Sequence, residues 1–381
     1  MTQKLYYEDS HLARFSAPVT GCVETKKGWE ITLSATAFYP EGGGQACDLG
    51  TLGSVRVLDV QERGEDVIHL CDGPLPLGET VEGAIDWDRR FRLMQSHTGE
   101  HIVSGIVCRR FGWHNVGFHM GADLITIDFD GPIPPEALPE IEAEANRAVW
   151  ANLPVECFVP SPEELPNVVY RSKRALPWPV RIVEIPGVDS CACCGVHVKR
   201  TGEIGLIKLF SCVKFHQGVR IEMACGSQAL ELLNAAYDQN RQVSQAFSAK
   251  ILETGTAAQK MNERLAAAEF RATALERRIF DTIAEKYAAR GDVLHFEDDL
   301  TPNALRELAD RIGSVCGGTA AVFSGTAVCL VNKNGDVKAL GDALKRELNA
   351  RGGGKPGYFQ GSVQADRPQI EEFFRMLAGG A

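Results

Sequence analysis

Two histidines and a cysteine-rich turn are the residues whose types and spacing could bind a metal. His97 and His101 lie four residues apart in a segment with helical periodicity, so both imidazoles project from one helix face. Further along the chain, Cys193 and His197 have the same spacing. Zinc prefers nitrogen and sulfur ligands, and four of them complete a tetrahedral sphere. The sequence therefore predicts one zinc ion per chain, held by these four residues.

Each half of this cluster also has a simpler interpretation. Two histidines at helical spacing are often unrelated surface or core residues. Cys191, Cys193 and Cys194 could form a redox site or be three buried thiols. Only Cys193 stands at the C-x-x-x-H spacing from His197, so the choice among the thiols rests on spacing alone. Soft and borderline ligands make magnesium or calcium a poor fit.

The composition indicates a globular protein without membrane segments. The 381 residues carry a net charge of −10, so a nucleic-acid partner would need a local basic patch. Met1 to Ser16 contain no apolar run of signal-peptide length, and no stretch approaches the roughly 18 apolar residues that cross a bilayer. We therefore expect the twelve cysteines to be reduced and the protein to be cytoplasmic.

The elements that must position these residues predict an α+β fold. Alternating patterns predict strands over 29–34, 54–60, 66–70, 123–129, 180–185, 204–209, 219–224, 320–323 and 327–331. Helices are predicted over 86–110, 134–152 and 342–350. We predict a β-rich domain over 1–85 with a glycine-rich loop, a zinc-containing core over 86–230, a helical linker or hairpin over 231–291, and a small α/β domain over 292–381.

The predicted linker has a regular apolar pattern. From Ser227 to Arg290 there is no proline, and five apolar residues alternate by three and four positions: Leu265, Ala268, Ala272, Leu275 and Ile279. This pattern is typical of an antiparallel helical hairpin or a short coiled coil, and equally of a plain amphipathic helix. It leaves open whether the stretch joins two copies into a homodimer.

Five motifs, in order along the chain, resemble one family. They are the glycine-rich segment 38–48 containing Gly43-Gly44-Gln45, the pair His97 and His101, the pair Cys193 and His197, the strand 218–222, and the segment 351–356 with Gly-Gly-Gly-Lys-Pro. We predict that residues 352–356 form a glycine loop. Together the five motifs resemble the long form of the alanyl-tRNA editing proteins called AlaX, and the editing and C-terminal domains of alanyl-tRNA synthetase. Two positions depart from the family pattern, because Lys355 replaces an arginine and Val196 stands where threonine is common.

The resemblance implies a zinc-dependent hydrolase of mischarged tRNA. Its substrate would be a serine or glycine ester of the terminal ribose, expected on alanine tRNA, and zinc would activate a water or bind the aminoacyl group. We expect His97, His101 and Cys193 to be the firm ligands and His197 the weakest, since an open site needs one ligand to leave or the sphere to expand.

Further residues are assigned roles within this hypothesis. Gln45 would hydrogen-bond the substrate or orient the water, unless its amide only stabilises the turn. The backbone of Gly43 and Gly44 would approach the ester closely. Thr36 could bind a serine hydroxyl, although a solvent-facing strand threonine is the simpler interpretation. Glu100, between the two histidines, is a further catalytic candidate.

Two segments are candidates for RNA contact. Residues 331–360 carry six Lys and Arg against three Asp and Glu, a local charge of +3, and within them we expect Arg351, Gly353 and Lys355 to bind RNA. The second segment contains Arg171, Lys173, Arg174 and Arg181, interleaved with Tyr170 and Trp178. Either segment could instead be a solvated face.

Two other classes of protein fit part of the pattern. His97 to His101 also matches the H-x-x-E-H pattern of inverted zincin peptidases, in which Glu100 would be the general base. The third ligand of such peptidases is usually a carboxylate, so Cys193 and His197 fit poorly. A non-catalytic tRNA-binding protein with a structural zinc is the other alternative, since four Cys and His ligands suit a closed site.

Overall fold

The computed structural model describes residues 1–121, 123–172 and 176–379, and it divides into two compact units, Met1–Gln242 and Val243–Ala381. Both units mix helices and sheets, so the predicted α+β class is confirmed. The four-domain division stays a prediction. No helix among the described residues has the length and apolarity to cross a bilayer.

A closed six-stranded barrel forms the beginning of the first unit. Short strands β1 (Gln3–Lys4) and β4 (Ala35–Thr36) pair beside it. The barrel order is β2-β3-β7-β6-β5-β8, and alternate residues of these strands fill its interior. The strands are β2 (Arg14–Thr25), β3 (Gly28–Leu33), β5 (Gly50–Leu52), β6 (Val55–Arg63), β7 (Asp66–Cys71) and β8 (Thr80–Ile85).

A long, almost fully buried helix follows the barrel. Helix α1 (Trp87–Phe111) begins at Asp86, whose carboxylate accepts a hydrogen bond from the Arg89 amide, and ends at Gly112 in the left-handed conformation. Every residue from Met94 to Val107 is buried. The helix therefore lies at the centre of the unit, which explains why its polar residues need partners inside the protein.

Two small sheets and two helices complete the first unit. One sheet has the order β14-β15-β10-β9 and the other β11-β12-β13, all antiparallel. Their bounds are β9 (Asn115–Met120), β10 (Ile125–Phe129), β11 (Glu156–Phe158), β12 (Ile182–Ile185), β13 (Asp189–Ala192), β14 (Ile207–Phe215) and β15 (Gly218–Cys225). The helices are α2 (Leu138–Trp150) and α3 (Gly226–Ala246). The predicted strands and helices of this region are thus confirmed, with boundaries shifted by a few residues.

The second unit is a five-stranded sheet between two layers of helices. The strand order is β16-β17-β18-β20-β19, with only β16 and β17 parallel. Helix α5 and the end of α4 pack on one face, and α6 and α7 pack on the other. The elements are α4 (Thr254–Glu285), β16 (Gly291–Phe296), α5 (Pro302–Val315), β17 (Gly317–Ser324), β18 (Ala327–Val331), α6 (Lys338–Glu347), β19 (Arg351–Lys355), β20 (Tyr358–Ser362) and α7 (Arg367–Gly379).

The glycine-rich segment 352–356, predicted as a loop, is largely an edge strand. Residues Arg351–Lys355 form β19 and pair with β20. A Cβ at Gly354 would lie 1.9 Å from the carbonyl oxygen of Tyr358, so the close approach of the two backbones requires glycine there. The prediction was wrong because glycine runs usually indicate turns, and only the pairing partner reveals a strand.

Candidate metal centre

The four predicted ligands meet in the first unit. Helix α1 supplies His97 and His101, and the loop after β13 supplies Cys193 and His197. Their ligand atoms all lie within 4.8 Å of one another. Cys193 Sγ is 3.4 Å from His97 Nε2 and 3.5 Å from His197 Nε2. Tetrahedral zinc with ordinary bond lengths would separate its ligands by about 3.3–3.8 Å, so the arrangement fits that ion.

Each imidazole is held by a hydrogen bond at the nitrogen that faces away from the cluster. His97 Nδ1 lies 2.8 Å from Gln45 Oε1, His101 Nδ1 lies 3.0 Å from Asp189 Oδ2, and His197 Nδ1 lies 3.2 Å from Thr98 Oγ1. Such outer partners fix ring orientation and leave Nε2 free for a metal.

The partners also determine which nitrogen carries the proton. The Asp189 carboxylate can only accept. The Thr98 hydroxyl donates to the Met94 carbonyl oxygen and accepts from the Val198 amide, so it accepts from His197 Nδ1 as well. Gln45 Oε1 likewise accepts a second bond, from the Val196 amide. With their protons on Nδ1, all three rings can offer Nε2 to a cation at one point.

The electrostatics of the cluster favour a thiolate. Burial alone would raise the pKa of the Cys193 thiol, but the surrounding imidazoles outweigh it and hold that pKa well below its ordinary value. Burial lowers the pKa of His197 to about 3, so this ring is neutral at neutral pH. By contrast, burial raises the pKa of Cys191 and of Cys194. Of the three thiols, Cys193 is therefore the one that most readily forms the thiolate that a cation binds.

The loop that carries Cys193 is fixed from both sides. Arg181 Nη1 donates to the carbonyl oxygens of Cys193 and Gly195, at 2.9 Å each, and its guanidinium lies over the Tyr7 ring. The Tyr7 hydroxyl donates to the Cys194 carbonyl oxygen. A Cβ at Gly195 would lie 2.2 Å from His97 Cε1, so only glycine lets the loop pass this close to the imidazole.

A second ion pair supports His101. Arg171 Nε and Nη2 donate to the two oxygens of Asp189, at 2.6 and 2.8 Å. Burial raises the pKa of the Asp189 carboxyl, but hydrogen bonds from His101 and Arg171 outweigh burial and hold it below its ordinary value. The carboxylate is therefore available at neutral pH to orient His101.

Gln45 contacts the metal cluster from the barrel side. It follows the glycine turn between β4 and β5, where Gly42 and Gln45 form an isolated bridge. Its Oε1 is used by His97 and Val196, whereas its buried Nε2 makes no hydrogen bond with any described residue. The amide thus orients His97, and its Nε2 remains a buried donor without a partner among the described residues.

A cavity of about 840 Å³ opens beside the cluster. Three of the four predicted ligands, His97, His101 and Cys193, are in its wall, whereas His197 is not among the lining residues. Cationic and aromatic side chains contribute to the rest of the wall: Lys4, Tyr7, Phe118, Arg171 and Arg181. A molecule bound in this cavity could therefore contact the cluster.

Glu100 also lines this cavity. Its Oε1 accepts hydrogen bonds from the Ser104 hydroxyl and the Asn115 amide, and all three residues are buried. The Asn115 Oδ1 makes no hydrogen bond with a described residue. This network fixes the carboxylate against helix α1, with Asn115 beside it in the cavity wall.

The three residues predicted to bind substrate lie in different surroundings. Gly43 lines the cavity. Gly44 packs against Phe118, since a Cβ there would lie 2.6 Å from the Phe118 ring. Thr36 is fully buried, and its hydroxyl is 2.8 Å from His69 Nε2 and accepts from the Phe38 amide. Thr36 is not among the residues that line the cavity, and it does not face solvent either.

The two predicted RNA-binding segments lie in different units of the protein. Arg171 and Arg181 belong to the cavity wall, whereas Lys173 and Arg174 lie outside the described residues. In the second unit, Arg351, Gly353 and Lys355 are exposed on β19 and, being two residues apart, share one side of this edge strand. Neither Arg351 nor Lys355 forms an ion pair with a described residue, so both charges face solvent.

Comparison with known proteins agrees with this geometry. Residues 180–222 match the family described as "Threonyl and Alanyl tRNA synthetase second additional domain", and this segment contains Cys193 and His197. Alanine–tRNA ligase of Thermofilum pendens is 32% identical over 95% of this chain, but the chain spans only 42% of that relative. The chain likewise spans less than half of the other alanine–tRNA ligases it matches first.

The chain covers a larger share of two relatives that are named as editing proteins. Alanyl-tRNA editing protein Aarsd1 of Danio rerio is 26% identical over 96% of both chains. Alanyl-tRNA editing protein AlaX-L of Pyrococcus horikoshii is 32% identical over 61% of this chain and 60% of its own length. The chain is therefore a homologue of the alanyl-tRNA editing proteins and of alanine–tRNA ligases, as its motifs predicted.

Proposed function

We propose that this protein is a zinc-dependent hydrolase that removes serine or glycine from mischarged alanine tRNA. The observation that carries the proposal is the position of the ligand set, because three of its four members face a cavity large enough for a ligand. A structural zinc site is normally closed on all sides by its protein ligands. The position of the cluster thus favours catalysis over a structural role.

The residues around the cluster have distinct tasks in this proposal. His97, His101, Cys193 and His197 would hold zinc, which as a Lewis acid polarises an ester carbonyl or lowers the pKa of a water molecule. Asp189, Gln45 and Thr98 hold the three imidazoles in the required orientation. The unpartnered Nε2 of Gln45 donates to the substrate or to the attacking water.

The cavity wall suits the end of a tRNA. Arg181, whose guanidinium donates to backbone carbonyl oxygens, brings positive charge to a site that would receive a phosphate backbone, and Tyr7 and Phe118 offer surfaces for the terminal base and ribose. A pocket that hydrogen-bonds a serine hydroxyl leaves its polar groups unpaired when alanine binds, which can discriminate by roughly 10⁴-fold. Glu100 and Asn115 are polar groups in this wall.

The second unit would hold the body of the tRNA. Arg351 and Lys355 are exposed on an edge strand whose glycines leave the backbone open, and no described atom lies within 4 Å of a Cβ built at Gly353. Such a surface lets a phosphate backbone lie against the strand while both cations contact it.

A deacylation assay tests the function. Purified zinc-loaded protein, incubated with seryl-, glycyl- and alanyl-tRNA, should release serine at least about 10³-fold faster than alanine, because the pocket would pair the serine hydroxyl. Glycine has no hydroxyl, so the glycyl-tRNA arm tests whether a smaller side chain alone is accepted. His97→Ala should abolish turnover together with zinc binding. His216→Ala serves as the histidine control, because His216 is exposed in the turn between β14 and β15 and is not part of the cluster. Binding of tRNA without any turnover would instead identify a non-catalytic tRNA-binding protein.

A further inference from the structure

Three buried polar residues are hydrogen-bonded to one another beside the metal cluster. Glu100 and Ser104 belong to helix α1 and Asn115 begins strand β9, with exposed fractions of 4%, 1% and 5%. The Ser104 hydroxyl and the Asn115 amide both donate to Glu100 Oε1. Around the helix axis, Glu100 lies about 60° from His97 and about 100° from His101. Glu100 and Asn115 accordingly line the same cavity as these two predicted ligands.

The Glu100 carboxylate determines which way the Asn115 amide points. A carboxylate oxygen accepts hydrogen bonds and does not donate them, so the NH₂ end of the amide must face Glu100 Oε1. Rotating the amide by half a turn would bring Asn115 Oδ1 against that carboxylate oxygen. The Oδ1 atom is therefore the end that is left over. It is buried and accepts no hydrogen bond from a described residue.

The carboxylate itself has a second oxygen without a partner. Both hydrogen bonds to Glu100 end at Oε1, and no described residue donates to Oε2. No described cation forms an ion pair with Glu100, since Arg171 in the same wall pairs with Asp189. Burying a charge without a partner is costly, because the charge loses its water without compensation. Glu100 Oε2 and Asn115 Oδ1, called the acceptor pair below, are thus suited to a ligand that brings donors and positive charge.

A primary ammonium fits the acceptor pair better than a hydroxyl does. An ammonium has three N–H donors, whereas a hydroxyl has one and would leave one of the two acceptors unpaired. A hydrogen bond from an ammonium to a carboxylate is also charge-assisted, which strengthens it. Every aminoacyl ester carries an ammonium on the carbon next to the ester carbonyl, about 2.5 Å from the carbonyl carbon. Because Glu100 directly precedes His101, an ester held in this way would lie beside the metal cluster.

We propose that Glu100 Oε2 and Asn115 Oδ1 bind the α-ammonium group of the aminoacyl ester. The inference rests on the function proposed above and concerns a group that serine and glycine esters share. It therefore explains how an amino acid is recognised as such, whatever its side chain. An ester whose amino group is blocked or absent would leave both acceptors unpaired and would react slowly. The protein should consequently spare tRNA that carries an N-acylated amino acid or a peptide.

Binding of stable analogues tests the site without turnover. One compound joins a seryl group to adenosine through an amide in place of the ester, and its matched partner carries a hydroxyl in place of the α-amino group. The measurement is calorimetry on the zinc-loaded full chain at about pH 6.5, where the amino group is protonated. The amino compound should bind on the order of tenfold to hundredfold more tightly, as expected for charge-assisted hydrogen bonds. Equal affinities would overturn the proposal.

Two variants test the acceptor pair itself. Glu100→Gln should bring the two affinities to within about threefold, because an NH₂ group would replace Oε2 and face the ammonium. Asn115→Leu should have a similar effect, since it removes Oδ1 at nearly the same volume. Ser104→Ala is the control, because it removes a donor to Oε1 and leaves both acceptors in place. If Glu100→Gln loses zinc, Asn115→Leu decides, and an unchanged preference in that variant would refute the assignment.

Further outcomes separate this site from the proposed function. If the acceptor pair bound the serine hydroxyl instead, Asn115→Leu would weaken binding of the seryl compound but not of its glycyl counterpart. The ammonium site predicts the same loss for both. Hydrolysis of seryl-tRNA by a wild-type protein that binds the amino and hydroxyl compounds equally would refute the ammonium site and leave the function standing. A clear preference for the amino compound without hydrolysis of seryl-tRNA would support the site and refute the function.

Discussion

At the scale of single residues, three cysteines lie within four positions but have different environments. Cys193 contacts two imidazoles of the cluster and has a depressed pKa. Cys191 lies near His101 and Asp189, and Cys194 near the Tyr39 hydroxyl, and burial raises the pKa of both thiols. A metal selects a thiolate over a thiol, so the three are not equivalent.

This difference predicts the outcome of replacing each thiol. Cys193→Ala should remove zinc and deacylase activity together, because three imidazoles alone hold the ion more weakly and lose the thiolate charge. Cys191→Ala and Cys194→Ala should retain close to one zinc per chain, measured by elemental analysis of the purified proteins. Equal zinc loss in all three variants, or the greatest loss at Cys194, would contradict the assignment of Cys193.

The sequence predicted which four residues meet in the cluster, but not all of the residues that orient them. His97, His101, Cys193 and His197 could be recognised because two ligand types repeat at one spacing. Asp189 and Thr98 carried no such signal, since an aspartate near a strand and a threonine in a helix are common in any protein. Their roles arise when distant segments pack together, as they do when Asp189 of β13 meets His101 of α1. Thr36 was predicted to bind substrate, but it is buried beside the barrel and is not among the residues that line the cavity.

At the scale of elements, the barrel contains its own titrating group. His69 of β7 is buried, donates from Nδ1 to the Ile31 carbonyl oxygen and accepts the Thr36 hydroxyl at Nε2. Burial lowers the pKa of His69 to about 4, against an ordinary value of 6.5. The folded barrel therefore keeps this ring neutral at pH values where an unfolded chain would protonate it.

Stability should consequently fall as the solution is acidified. Between pH 6.5 and pH 4 the unfolded chain binds a proton that the folded chain does not, so His69 costs about 2 kcal/mol of stability on going from pH 7 to pH 5. Urea unfolding of His69→Gln should lose less stability over this range than the wild type. His119→Gln, at an exposed position, is the matched control, and an identical pH dependence in wild type and His69→Gln would refute the prediction.

Local patterns predicted some elements better than others. Helix α1 was recognised because its residues follow a helical period, and in the structure Asp86 and Gly112 bound it. The strand β19 was missed because its three glycines have no side chains to alternate, and the pairing with β20 that defines it is a tertiary contact. Closure of the barrel between β2 and β8 also depends on strands far apart in the chain.

At the scale of the whole molecule, the two units predict a division of labour. The metal cluster, Gln45 and the cavity belong to residues before Gln242, and β19 belongs to the unit that follows. A cut near residue 292 would leave α4 without α5, against which Phe280 and Ala284 are buried. Truncation after Ala246, the end of α3, is therefore the cleaner experiment.

The truncated chain should keep its catalytic activity and bind RNA more weakly. We expect zinc content and kcat to stay within about two-fold while KM for seryl-tRNA rises on the order of tenfold, since lost uniform binding appears in KM. Binding should also depend less steeply on salt, because fewer phosphates are neutralised. The full-length variant Arg351→Ala/Lys355→Ala should show part of this KM increase. An unchanged KM and salt slope would assign the second unit another role, and loss of zinc would show that the first unit needs the second.

The separation of the ligands along the chain has a consequence for biosynthesis. Cys193 follows His101 by 92 residues, and neither pair alone forms a closed set. At about 5–20 residues per second, a ribosome needs roughly 5–20 s to extend the chain from one pair to the other. During that interval a nascent chain exposes two histidines that can hold a cation only weakly. If the cluster binds zinc as proposed, capture of the ion must wait until translation has passed His197, and the supply of zinc at that late moment becomes part of the maturation of the protein.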